Sequence, residues 1–113
     1  MMEINYLPVD KSNIKKQPDR FVINISDKDL IFEFSYNPEG DFFTFNLYDQ
    51  AGEPIIYGRR LVYGVNMLDN VVDNRIPEGI KIIPMDKTGT AEKIGINYDN
   101  FMDEVKPYIV GGN

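Results

Sequence analysis

Asp69, Asp73, Glu78 and Asp86 lie in one loop-rich stretch of the sequence. Carboxylates gathered in this way can pair as general acid and base, or hold a hard cation. The calcium-loop pattern of alternating Asp or Asn followed by glycine is not met. Counting from Asp69, the third position is Val71 and the sixth is Asn74. The alternative is a set of solvated charges that keep a loop surface soluble. Other chemistry has still less to draw on. The chain contains neither histidine nor cysteine, which removes the commonest base near neutral pH, thiolate nucleophiles and thiolate or imidazole metal ligands. Ser12, Ser26 and Ser35 stand outside any G-x-S-x-G elbow. The segment "GTAEKIG" lacks the Lys-Ser/Thr ending of a phosphate loop. No catalytic residue, metal ligand or cofactor site is expected.

The excess is aromatic: seven Tyr and seven Phe. Most Phe residues fall on alternating positions that fill a core. Tyr48, Tyr57, Tyr63 and Tyr108 are expected on outward faces, where tyrosine suits protein interfaces or sugar stacking. Arg59 and Arg60, read as lying between two strands of one ribbon, join them as interface candidates. An ordinary solvent-facing sheet is the competing reading for these six.

The elements that would carry them follow period two. "RFVINIS" puts Phe21, Ile23 and Ile25 on one face, with Asn24 and Ser26 on the other. "LIFEFSY" turns Leu30, Phe32, Phe34 and Tyr36 inward, against Ile31, Glu33 and Ser35. "FFTFNLYD" does the same with Phe43, Phe45 and Leu47. "SDKD" is a tight polar link, "NPEGD" a turn with Gly40 at the positive-φ position, and "DQAGE" a hairpin loop closed by Gly52. The fold class expected is all-β: a small antiparallel barrel or sandwich of six to seven short strands, with long loops and little or no helix. Residues 1–113 are read as a single domain. It comprises an edge strand at "EINYL" with a polar lead-in (1–19), an antiparallel meander (20–63), a long loop (64–79) and closing strands (80–110). The last part holds "IKIIPM", ended by Pro84, and "VKPYIV", with at most one helical turn between them.

Composition agrees with a small globular protein: 113 residues, 42% hydrophobic and 27% charged. The net charge of -6 disfavours nucleic acid or an anionic membrane as partner. No apolar run approaches the ~20 residues of a membrane span, and "MMEINYLPVDK" lacks the layout of a signal peptide, so synthesis in a cytoplasm is expected.

The order "FTFNLYDQAGEPIIYGRRLVYGVNML", long loop, "IPEGIKIIPMD", "EVKPYIV" resembles the phage baseplate plug family. An aromatic strand enters a "YD-x-x-G" turn. A segment "I-x-x-G-x-x-L-x-x-G-x-x-L" follows, seen here as Ile55, Gly58, Leu61, Gly64 and Met67-Leu68, with Met67 a mild departure. A "DKTG" loop and a closing strand complete the likeness, which runs from Phe42 to Val110 and leaves out the lead-in through Lys16. The resemblance implies a virion component at the tail tip, made in the bacterial host cytoplasm and docked among hub, wedge or tube proteins. It further implies a homo-oligomer, a trimer about the tail axis, in which Gly58 and Gly64 permit bulges or close approach by a neighbouring subunit. The other reading is a small β-barrel module presenting tyrosines to a carbohydrate or peptide.

Overall fold

The computed structural model describes residues 6–111. Four strands, β1 (Asp19–Ile25), β2 (Lys28–Asn37), β3 (Phe42–Asp49) and β4 (Pro54–Arg60), form an antiparallel meander in chain order. β5 (Ile80–Met85) pairs with β6 (Lys106–Gly111) in a second, two-stranded sheet. Between them lies a single 3₁₀ turn, Thr90–Glu92. The all-β class expected is the one observed; the meander is open, with β1 and β4 as its edges, so of the barrel and the sandwich no closed barrel forms. Of "EINYL", Tyr6 bridges Tyr108 on β6 and the Leu7 amide donates to the Pro107 carbonyl; Glu3, Ile4 and Asn5 of that expected edge strand lie outside the described residues.

Local chemistry sets each turn. Ser26 and Asp27 both take positive φ, 50° and 68°, the pattern of a two-residue type I′ hairpin whose twist matches the strands it joins. The β2–β3 turn corrects the expectation for Gly40. Positive φ belongs to Asp41 (54°), while Gly40 is needed because a Cβ there would run into the Phe42 ring. Asp41 is held in this conformation by its carboxylate, which accepts from Tyr36 Oη (2.7 Å) and the Tyr98 amide (2.9 Å). The same hydrogen bond, with burial second, pushes the Tyr36 phenol up to about 12. A phenol with a raised pKa stabilises the fold fully below its ordinary value near 10, and that contribution disappears as pH rises through about 12. Absorbance titration at alkaline pH should therefore show a late tyrosinate step that vanishes in Tyr36→Phe and moves to lower pH in Asp41→Asn. An unchanged step in both variants would refute the assignment.

The core lies against one face of the meander. Phe32, Phe34, Phe43, Phe45 and Leu47 are essentially sealed from solvent, and Phe34 packs against the rings of Phe21, Phe32, Phe45 and Phe101 at centroid distances of 6.0–6.2 Å. Met67, Leu68, Ile80, Ile82 and Phe101 cover this layer. So do Leu7, Val9 and Ile14, which corrects the reading of the lead-in as merely polar. Pro84 continues β5 to Met85 and lies opposite Pro107. Neither has an N–H to give the ladder, and their carbonyls turn outward to accept from Gly64 (2.7 Å) and Leu7 (3.0 Å).

Candidate functional site

The other face of the meander has no covering layer among the described residues. The strand register places Val22, Ile31, Tyr48 and Pro54 in one row across all four strands. Val22 is 64% exposed. The adjoining row runs Arg20, Glu33 and Asn46; Tyr57, beside the irregularity in the β3–β4 register, is 76% exposed. Asn46 Nδ2 and Tyr48 Oη both donate to Glu33 Oε1 at 2.9 Å, and Arg20 stands 3.6 Å from Glu33 Oε2. The Arg20 guanidinium also lies over the Tyr48 ring, 4.8 Å from its centroid. Partial burial opposes ionisation of Glu33, but the Asn46 and Tyr48 hydrogen bonds and the Arg20 charge outweigh it and hold the carboxyl below its usual range. Burial first, and then Glu33, push the Tyr48 phenol up. The outer face thus sets an apolar row beside a row whose polar groups are satisfied by one another.

The six residues anticipated from sequence separate. Tyr48, Tyr57 and Arg60 share the outer face, Arg60 lying across from Thr44 and 4.2 Å over the Phe42 ring. Arg59 does not join them, and neither arginine links two strands: they end β4. Opposite Asn46 the register shifts to fit Gly58, whose φ is 69° and whose amide donates to Asn46 Oδ1 (2.6 Å). This bulge reverses the alternation and aligns Arg59 with inward-facing Phe45. Its guanidinium instead holds the long loop, donating to the carbonyls of Met67 (3.2 Å) and Asp69 (2.6 Å). Tyr63 donates to Asp86 (2.5 Å), and Tyr108 stands edge-on to Tyr6 at 6.0 Å. The tyrosines therefore line no shared cleft. Val22, Ile31, Arg20 and Glu33 were not anticipated as site residues. The available signal was a pair of apolar residues, Val22 and Ile31, at the solvent phase of their strands.

The loop carboxylates are engaged separately. Asp73 takes Arg75 Nε and Nη2 at 2.9 and 2.6 Å, while Arg75 Nη1 reaches Asp49 in the β3–β4 hairpin at 2.9 Å. Asp86 accepts from Tyr63 and from the Ala91 amide. Asp69 and Glu78 are exposed, and no group of potential metal ligands forms among the described residues. The Arg75 hydrogen bonds lower the Asp73 carboxyl to about 2. A depressed carboxylate stabilises the fold above its ordinary value near 4, and the contribution is lost as pH falls through about 2. Carboxyl NMR should find the Asp73 midpoint near the lower figure, returning to the ordinary range in Arg75→Ala. That variant should also speed amide exchange across residues 64–79; an unmoved midpoint would remove the clamp from the account.

Comparison with protein families decides the assignment. The family model described as cyanophage baseplate Pam3 plug gp18 matches residues 4–112. The chain belongs to this baseplate plug family. Comparison with curated proteins gives no match. The family match includes the lead-in, consistent with the core positions of Leu7, Val9 and Ile14. The spaced plug-family segment also acquires a physical meaning. Ile55, Leu61, Met67 and Leu68 pack in or against the core, while Gly58 and Gly64 take positive φ, 69° and 75°. Leu61 bonds to β3, whereas Gly64 and Met67 bond to β5, so the segment ties the two sheets together. Membership assigns a structural role in the tail baseplate, in contact with other baseplate or tail proteins. Among the described residues no helix is long and apolar enough to cross a membrane.

Proposed function

We propose that this protein plugs or organises the distal end of the tail tube, docking onto hub, wedge or tube proteins through the outer face of the meander and associating with copies of itself. The family match over residues 4–112 carries this reading. The uncovered row from Val22 to Pro54, flanked by Tyr57 and Arg60, supplies a surface suited to it. The role is architectural: synthesis in the host cytoplasm is followed by assembly into the virion tail. The charge of -6 favours protein partners over nucleic acid or an anionic membrane. Gold labelling of an epitope-tagged chain in purified tails is expected to mark the distal tip. Tails that assemble fully without the chain, or label along the tube, would overturn the proposal.

A further inference from the structure

The two edges of the meander differ. β4 is broken by register shifts opposite Phe45, Leu47 and Tyr48, and such irregularity blunts an edge. β1 is regular. Its two-residue turn makes Ile25–Lys28 a hydrogen-bonded pair, and alternation then gives Ile23–Leu30 and Phe21–Phe32 the same character. The amides and carbonyls of Arg20, Val22 and Asn24 therefore point away from β2, along an edge that pairs with no other strand among the described residues.

Among the described residues, the inner face is also unfinished at this edge. Phe32, Phe34, Phe45 and Leu47 are sealed, yet Phe21 and Ile23, on the same face of β1, remain half-buried. Ile23 and Asn24 border an open cleft of about 230 Å³, which Tyr6, Ile80 and Ile109 also line. On the outer face, the apolar row ends at Val22.

We infer that the β1 edge pairs with the β1 edge of a second copy of this chain, antiparallel and centred on Val22, giving one continuous eight-stranded sheet. The inference deepens the self-association in the proposed function and rests on it. Val22 opposite Val22 of the second copy, and Arg20 opposite its Asn24, put every outward amide and carbonyl of these residues into hydrogen-bonded pairs. The same register fits the side chains. Phe21 falls opposite Ile23 of the second copy, covering both half-buried residues. The apolar row continues unbroken through the two-fold. Arg20 comes beside Asn24 of the second copy, whose side chain already donates to Asp29 (2.8 Å), so a cation meets a carboxylate twice by symmetry. This self-complementarity selects a second copy over an unrelated strand, and a two-fold pair over the trimer that the family resemblance suggested.

The whole chain tests this directly, because it has no native cysteine. Hydrogen-bonded cross-strand residues lie about 5.5 Å apart at Cα, within disulfide reach. Val22→Cys should form a disulfide-linked dimer under mild oxidation, whereas Ile94→Cys, at a residue 68% exposed elsewhere on the surface, should not. By light scattering the wild type should be dimeric. Val22→Pro should be monomeric with an unchanged circular-dichroism spectrum, since the fold does not use that amide. If the proline disturbs folding, Val22→Lys keeps the backbone and sets like charges across the two-fold, with the same loss of dimer expected. A monomeric wild type, an oligomer that survives Val22→Lys, or equal cross-linking of the two cysteine variants would overturn the pairing. A monomeric chain still found at the tail tip would refute the dimer while leaving the baseplate role intact. A monomer whose Val22→Lys variant is lost from tails would show the edge serving another protein, which also overturns the inference.

Discussion

Phe34→Ala is expected to destabilise the fold by about 3–5 kcal/mol, the cost of removing a sealed aromatic side chain and leaving a cavity. Phe34 is 0% exposed and touches rings contributed by β1, β2, β3 and the segment before β6. Its neighbours are themselves fixed by strand pairing or packed on several sides, so they have little freedom to collapse into the gap. Small domains are stable by only about 5–15 kcal/mol, so the loss takes a large share of the total. Thermal unfolding should shift down by roughly 10–20 °C. A shift of only a few degrees would mean that the ring cluster is not the centre of the core.

The meander was legible because its information is local. Leu30, Phe32, Phe34 and Tyr36 alternate without a break, and the residues between them are mostly polar, so one face can only turn inward. Three features escaped for identifiable reasons. Leu7, Val9 and Ile14 are spaced at no regular period among prolines and charges, and only the tertiary fold brings them onto the core. Arg59 and Arg60 were read as lying between two strands, whereas they end β4 and a bulge aligns Arg59 with inward-facing Phe45; a glycine within the strand, Gly58, was the only local sign of that bulge. Positive φ was assigned to Gly40 on residue type, whereas Asp41 adopts it, held by hydrogen bonds from Tyr36 and from Tyr98 far along the chain. The outer face was half legible. Tyr48, Tyr57 and Arg60 were anticipated, but the row they extend depends on cross-strand register, which alternation within single strands does not contain.

Tyr57→Ala combined with Arg60→Glu should leave the fold intact and remove the chain from assembled tails. Neither side chain fills the core: Tyr57 is largely exposed, and Arg60 lies over the Phe42 ring on the solvent side. Surface changes of this kind ordinarily alter stability by about 0.5 kcal/mol or less. Tyrosine and arginine are among the residues whose truncation at an interface costs about 2 kcal/mol or more, a roughly thirty-fold loss of affinity. Arg59→Glu provides the contrast. It places a carboxylate against the carbonyls of Met67 and Asp69 that the guanidinium now satisfies, so it should loosen the long loop and lower the melting temperature. Two adjacent arginines are thus expected to separate folding from docking: reversal at 59 should act through stability, and reversal at 60 through assembly. Melting curves and quantitative mass spectrometry of purified tails distinguish the two. Incorporation of the Tyr57→Ala, Arg60→Glu chain at the wild-type level would mean that the outer face is ordinary solvated sheet, with the baseplate contacts made elsewhere.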